Sequence, residues 1–252
     1  MKYKTFSPEL WQLIDRTLDE VLKSNPSPVA AFDADGTLWD TDLGENFFQW
    51  QIKNKVLPRL PEDPWLYYRR WKESGDPRPA YLWLAQINQG QALSQVQDWA
   101  NQAVEELQPP VFEDQRKLIE KFLCKGVQVY VVTASVKWAV EPGARLLGLS
   151  NEQVLGVETK VINGSVTSEP SGYMTYREGK AEAIFKHTSQ RPFFASGNTM
   201  GDFELLKSAT QLSLAVGAAV PSHELWKTES QLRDEAQKYQ WKIHRFTTDQ
   251  SR

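Results

Sequence analysis

The sequence predicts an α/β fold on a mostly parallel sheet. Short apolar, β-branched runs near residues 28–33, 127–133, 192–196 and 211–216 are separated by segments of helical periodicity. Three of these runs end in polar, chemistry-bearing residues, Asp33, Thr133 and the 196–202 segment, and ligands of open α/β sheets bind at the carboxyl ends of the strands. A change of texture between Gly44 and about Pro110, rich in Trp, Tyr, Gln and Pro, predicts an inserted helical segment. The expectation is a Rossmann-like, three-layer core from residues 1–43 and 111–252, interrupted by a helical cap over 44–110.

In chain order, residues 8–23 carry Leu10, Ile14, Leu18, Val21 and Leu22 at helical spacing, and Pro26 and Pro28 stop the helix before the first strand. Val29–Phe32 reads as a short buried strand delivering Asp33 and Asp35, two residues apart and so on one face of an extended chain, before Gly36 permits a tight turn. Helical patterns follow near 44–56, 63–73, 79–88 and 92–107. The strand ending at Thr133 leads to a helix over 136–147 despite Pro142 and Gly143, with Gly148 suited to its end. Asn163-Gly164 within 153–168 predicts a β-hairpin. Within the tail from residue 221 to 252, a helix over 224–238 is followed by a segment over 241–246 that alternates like an edge strand, and neither is assigned chemistry.

Composition narrows the partner. The 252 residues carry a net charge of −3, with 29 Lys and Arg against 32 Asp and Glu, and no basic block marks a nucleic-acid surface. No apolar stretch approaches the ~20 residues that span a bilayer, so a cytoplasmic protein with a small partner is expected. The single cysteine, Cys124, excludes an internal disulfide and reads as a packed apolar residue. His187, His223 and His244 have no metal-ligand spacing and read as structural or exposed.

Asp33-Ala34-Asp35-Gly36-Thr37-Leu38 resembles the D-x-D-G-T-L signature of the haloacid dehalogenase superfamily, whose members are mostly phosphatases. A bare D-x-D-G is also an ordinary turn, but further matches follow in order. Gly126–Ser135 resembles the second motif and places Thr133, with the adjacent Ala134, where the family hydrogen-bonds the transferring phosphoryl group. Tyr176–Ile184 resembles the third and places Lys180 where the family holds nucleophile and phosphoryl oxygens together. Pro192–Asp202 resembles the fourth, which supplies metal ligands, but departs from it at Asn198, where the commonest form has Asp. Asn offers a neutral oxygen to a hard cation and less charge. The metal set implied is Asp33, Asp35 through its carbonyl, and one or both of Asn198 and Asp202.

The resemblance implies a Mg2+-dependent phosphatase of the phosphoserine-phosphatase-like branch. Asp33 is the nucleophile, forming an aspartyl-phosphate, and Asp35 is the acid that protonates the leaving alkoxide and later deprotonates water. That role requires Asp35 to hold a proton first; the like charge of Asp33 favours this and a cation opposes it. A dehalogenase needs no such acid, which favours phosphatase. A phosphomutase and a catalytically silent phospho-ligand-binding protein remain alternatives, and the oligomeric state stays open.

The branch implies a small phosphorylated metabolite bearing an amine, such as phosphoserine or phosphocholine, with sugar phosphates still open. Asp42 and Glu45, near Asp40, could meet that amine or be solvated turn residues. Trp50, Trp65, Trp71, Trp83 and Trp99 could form a cage for a quaternary ammonium or be the core of a small bundle.

Overall fold

A computed structural model describes residues 3–247. In chain order the elements are α1 (Pro8–Ser24), β1 (Val29–Phe32), α2 (Leu43–Lys53), α3 (Pro64–Lys72), α4 (Arg78–Gln86), α5 (Leu93–Leu107), α6 (Glu113–Cys124), β2 (Gln128–Val136), α7 (Lys137–Arg145), β3 (Val154–Ile162), β4 (Ser165–Ser171), α8 (Glu178–Thr188), β5 (Phe194–Gly197), α9 (Phe203–Ser208), β6 (Leu212–Gly217), α10 (Trp226–Lys238) and β7 (Lys242–Arg245). The chain divides into two compact units, one drawn from Met1–Thr41, Pro110–Val132 and Arg177–Arg252, the other from Asp42–Pro109 and Thr133–Tyr176.

The first unit is α/β. Its strands run parallel in the order β2-β1-β5-β6-β7, with Phe32 opposite both Val131 and Ser196, Ser196 opposite Leu214, and Val216 opposite His244. β1 is buried along its whole length, as a central parallel strand covered on both faces must be. Phe32, Phe122 and Phe194 pack with ring centroids 5.2–6.2 Å apart, fixing α6 to β1 and β5. The helix expected over 8–23 is α1, started by Ser7, whose hydroxyl accepts from the Leu10 amide, and by Pro8 in its first turn. The tail expected to alternate as an edge strand is β7, parallel to β6.

The second unit holds α2–α5, each within a few residues of its expected span, together with α7 and the β3–β4 hairpin. Asn163 and Gly164 both take positive φ, 51° and 79°, the conformation a two-residue hairpin turn demands. The helix expected over 136–147 ends at Arg145 and carries Pro142 internally. Residues 133–176, left with the core by sequence reasoning, group with 42–109 because α7 packs on α5 and α2 and β3 packs on α4. Phe48, Trp50, Tyr68, Leu84, Val96 and Trp138 are buried in this unit's core, with Trp65, Trp71, Trp83 and Trp99 packed against them.

Cys124 does not pack as the sequence suggests: it is exposed. α6 buries Leu118, Ile119 and Phe122, and a residue two beyond Phe122 lies across the helix from that stripe. Among the described residues, no helix is long and apolar enough to cross a membrane.

His244 on β7 packs edge-on against Phe6 and Phe246, at 4.7 and 4.8 Å, and its Nε2 donates to the Lys4 carbonyl at 3.2 Å. Burial pushes its imidazole below the ordinary value, helped by the Lys4 charge and opposed by the Lys4 carbonyl and Asp114. A lowered folded pKa means that the unfolded chain binds this proton more tightly. The stability it contributes is therefore full above the ordinary histidine value of about 6.5 and is lost as pH falls below it. Thermal unfolding between pH 7.5 and 5 should show a smaller loss of Tm in His244→Gln than in the wild type, and equal losses would exclude His244 as the titrating group.

Candidate active site

The turn after β1 is tightly closed. The Thr37 and Leu38 amides donate to the Ala34 carbonyl at 3.1 and 2.8 Å, the Gly36 amide donates to the Trp39 carbonyl at 2.9 Å, and the Asp33 amide donates to Ser196 of β5 at 2.9 Å. Gly36 has φ +76°, and a Cβ there would lie 2.1 Å from Asn198 Nδ2, so both the backbone and the close approach require glycine.

Asp33 is 6 % exposed and Lys180 2 %. Lys180 Nζ donates to Asp33 Oδ1 at 2.5 Å and to Asp202 Oδ1 at 2.6 Å. The Thr37 hydroxyl lies 2.9 Å from Asp33 Oδ2 and 3.3 Å from Asn198 Oδ1. Asp202 Oδ2 accepts from the Asn198 amide, the Thr199 amide and the Thr199 hydroxyl at 3.1, 2.9 and 3.2 Å, which ties the loop after β5 around one carboxylate. Arg177, at φ 51°, anchors the start of α8 by donating its amide to the Gly201 carbonyl.

Two buried carboxylates thus share one ammonium, leaving a formal charge of −1. Burial and the Asp202 carboxylate push the Asp33 carboxyl up, against the pull of Lys180. Burial alone would push the Lys180 ammonium down, but Asp202 and Asp33 outweigh it and hold it above its ordinary value.

The other residues singled out by sequence lie as follows. Asp35 is half-buried and accepts from Trp39 Nε1 at 2.8 Å. In the second unit, Thr133 is buried, its hydroxyl accepting from the Ser135 amide at 3.0 Å and its carbonyl from the Thr175 hydroxyl. Ala134 follows it on β2. Asp42 caps α2, accepting from the Glu45 amide at 2.8 Å. Glu45 Oε1 accepts from Lys72 Nζ at 2.5 Å and from the Tyr68 hydroxyl at 3.2 Å, and Lys72 lies 5.9 Å from the Tyr68 ring centre. Burial would lower the Lys72 ammonium, but Asp42 and Glu45 hold it above its ordinary value. Asp40 belongs to the first unit and accepts from the Tyr3 hydroxyl. Trp65, Trp71 and Trp83 pack on aromatic rings, Phe48 to Trp83 at 5.4 Å and Trp71 to Trp83 at 6.3 Å, and Trp50 and Trp99 join the same hydrophobic core, so a core role accounts for them.

Three residues near Asp33, Asp35 and Asn198 escaped sequence reasoning. Thr37 was visible in the first motif but given no role. Trp39 is fully buried and orients Asp35. Glu229, on the first turn of α10, is 2 % exposed; Oε1 lies 3.4 Å from Asn198 Nδ2 and Oε2 accepts from the Ala219 amide at 3.1 Å. Burial pushes its carboxyl up to about 7, against the Ala219 amide, Asn198 and Ala218.

The family comes from the motifs' order and from comparison with known proteins. Residues 30–207 match the family model described as haloacid dehalogenase-like hydrolase. The chain belongs to that family. It is 25 % identical over 207 residues to phosphorylcholine phosphatase of Pseudomonas aeruginosa, an alignment that covers 66 % of this chain but only 59 % of that protein. A solved structure from Bordetella pertussis Tohama I, described as of unknown function, superposes with a TM-score of 0.73 at 16 % identity, covering 88 % of this chain and all of that one. A phosphoserine phosphatase captured as a phospho-aspartyl intermediate analogue gives 0.55 at 16 % identity, covering 89 % and 96 %. These likenesses establish the fold of this haloacid dehalogenase-like hydrolase, whose relatives include phosphatases.

Oxygen donors suit a hard cation here. Among the described residues, no three His, Cys, Asp or Glu side chains are grouped to hold an ion, so a cation would draw on Asp33 together with amide and backbone oxygens.

Removing one partner of a buried ion pair is far costlier than the net worth of the pair. Lys180→Met should therefore lower stability by about 3–5 kcal/mol in urea unfolding near neutral pH. The loss should shrink as acid protonates Asp33, whose carboxyl is pushed up by burial. A loss below about 1 kcal/mol, the range of an exposed pair, would show that Lys180 is not a buried counter-ion.

Proposed function

We propose that the chain is a Mg2+-dependent phosphatase that hydrolyses a small phosphomonoester through an aspartyl-phosphate on Asp33. The observation that carries this is the buried Asp33–Lys180–Asp202 cluster at the carboxyl end of β1. A carboxylate held rigidly by Thr37 and Lys180, with its charge only partly offset, is equipped to attack phosphorus.

The attacking Asp33 oxygen forms a bond to phosphorus as the ester oxygen departs, taking a proton from Asp35. Asp35, now a carboxylate oriented by Trp39, accepts a proton from water. That water's oxygen bonds to phosphorus, the bond to Asp33 breaks, and inorganic phosphate and free Asp33 are regenerated. Lys180 places its charge between Asp33 and Asp202, where it can also meet a phosphoryl oxygen. The Thr133 hydroxyl and the backbone amides of Ala34 and Ala134 are proposed as further donors to those oxygens.

The charge balance supports a cation. A cluster of net charge −1 that receives a phosphate dianion needs positive charge beyond Lys180. Asp33, the Asp35 carbonyl and Asn198 Oδ1 would hold the ion. Asp202, its Oδ1 bonded to Lys180 and its Oδ2 to three loop donors, is proposed to position Lys180 instead of ligating directly. When bound, Mg2+ supplies the positive charge that lets an anionic nucleophile approach an anionic ester.

For the leaving group, an amine-bearing alcohol is proposed. In support, the relative is named for phosphorylcholine, and Asp42, Glu45, Tyr68 and Tyr81 form an acidic, aromatic cluster that already holds one ammonium, Lys72.

Phosphate release from a panel of small phosphomonoesters, with and without Mg2+, tests the reaction. Release should require the metal and should vanish in Asp33→Asn, with free alcohol and no rearranged sugar phosphate among the products. Undiminished release from Asp33→Asn would sink the nucleophile, and a rearranged phosphoester would identify a mutase. Selectivity is tested separately. Glu45→Gln should raise KM about tenfold for phosphocholine, the loss of one charge–charge attraction to its quaternary ammonium, while glycerol phosphate changes less than about twofold. Equal changes would remove amine recognition from Glu45.

A further inference from the structure

Asn198 stands where a carboxylate is the commoner residue, and its surroundings supply a physical reason. An amide's oxygen and nitrogen ends have nearly the same shape and are told apart by their hydrogen-bond partners. Glu229 Oε1 lies 3.4 Å from Asn198 Nδ2. On the opposite side the Thr37 hydroxyl lies 3.3 Å from Oδ1 and 2.9 Å from Asp33 Oδ2. The Glu229 oxygen faces the NH2 end as an acceptor, and the amide oxygen lies on the Thr37 and Asp33 side. Two glycines box the pair in. A Cβ on Gly36 would come within 2.1 Å of Asn198 Nδ2, and one on Gly217 within 2.4 Å of Glu229 Oε2. Both side chains thus lie directly against glycine backbone, and the Ala219 amide holds the other Glu229 oxygen at 3.1 Å.

We infer that Glu229 is a positioning residue for the metal-binding oxygen of Asn198, and that the two act as a matched pair in which Asn198 must be neutral because Glu229 is acidic. An aspartate at 198 would set two carboxylates side by side in a buried site, a like-charge contact. The cation's part in this inference rests on the phosphatase reading above; the pairing itself does not.

The two halves are separated by a double-mutant cycle on the full chain with Glu229→Gln, Asn198→Asp and the combination. Without metal, thermal unfolding should show Asn198→Asp strongly destabilised and Asn198→Asp/Glu229→Gln largely restored, since the swap returns one carboxylate and one amide to the contact. A double variant no more stable than the worse single one, or purely additive effects, would overturn the pairing. Calorimetric titration with Mg2+ alone reads the positioning. Affinity should fall about tenfold in Glu229→Gln, whose amide can present either end to Asn198, and should return to the wild-type value or better in the double variant. Unchanged affinity in Glu229→Gln would make Glu229 merely structural. If the wild type takes up no Mg2+, the cation reading and the positioning role both fail, while the metal-free cycle still decides whether the two residues are paired. Recovery in the double variant is expected even where Glu229→Gln is itself unstable.

Discussion

Lys180 lying between Asp33 and Asp202 is the constraint on which the rest of the first unit's site depends. Bringing three ionised groups out of water is costly unless each finds partners, and here nearly every oxygen has one. Lys180 takes Oδ1 of both aspartates, Thr37 faces the second oxygen of Asp33, and three donors from the loop after β5 take the second oxygen of Asp202. The backbone follows from these bonds. β1 and β5 are held in register so that Asp33 and the 198–202 loop emerge side by side, and α8 starts at a positive-φ Arg177 bonded to Gly201. The cluster carries a formal charge of −1, one positive charge short of neutrality, so Lys180 alone does not balance its two carboxylates.

Much of this was legible in the chain. Apolar runs ending in Asp33, Thr133 and the 196–202 segment gave the strands, and helical spacing gave α1–α5 within a few residues, because in each case local periodicity and the tertiary environment agree. What escaped has a common cause. Glu229 is thirty-one positions from Asn198 and lies in a helix first turn, where an acid is unremarkable. Only the pairing of β5 with β6 and the packing of α10 bring it to the site. Trp39 reads as one more aromatic until the tight turn at Gly36 folds its indole onto Asp35. Cys124 was misread because hydrophobic character was weighed without its position relative to the Leu118–Phe122 stripe. The grouping of 133–176 was also invisible, since it follows from α7 and β3 packing on helices far earlier in the sequence.

The second unit raises the opposite question, whether a polar cluster is there for stability or for a ligand. Its aromatic side chains pack on one another and account for the tryptophan enrichment as core. Glu45 is different. A buried glutamate adds little to a hydrophobic bundle, and the unit supplies Lys72 and Tyr68 to satisfy it. A carboxylate flanked by an aromatic ring and carrying an ammonium has the chemistry of an ammonium receptor. Lys72 sets the terms for any cationic substrate, which must either displace a tethered amine or bind beside it.

The neutral residue at 198 follows from the same charge accounting. With Asp33 and Asp202 sharing one lysine and Glu229 buried nearby, a further carboxylate would add like-charge repulsion. An amide donates to Glu229 with one end and offers an oxygen with the other, so one side chain serves both neighbours. Asn198 is thus a departure from the motif that suits its surroundings, with an acid facing its NH2 end at position 229 and its oxygen on the side of Asp33.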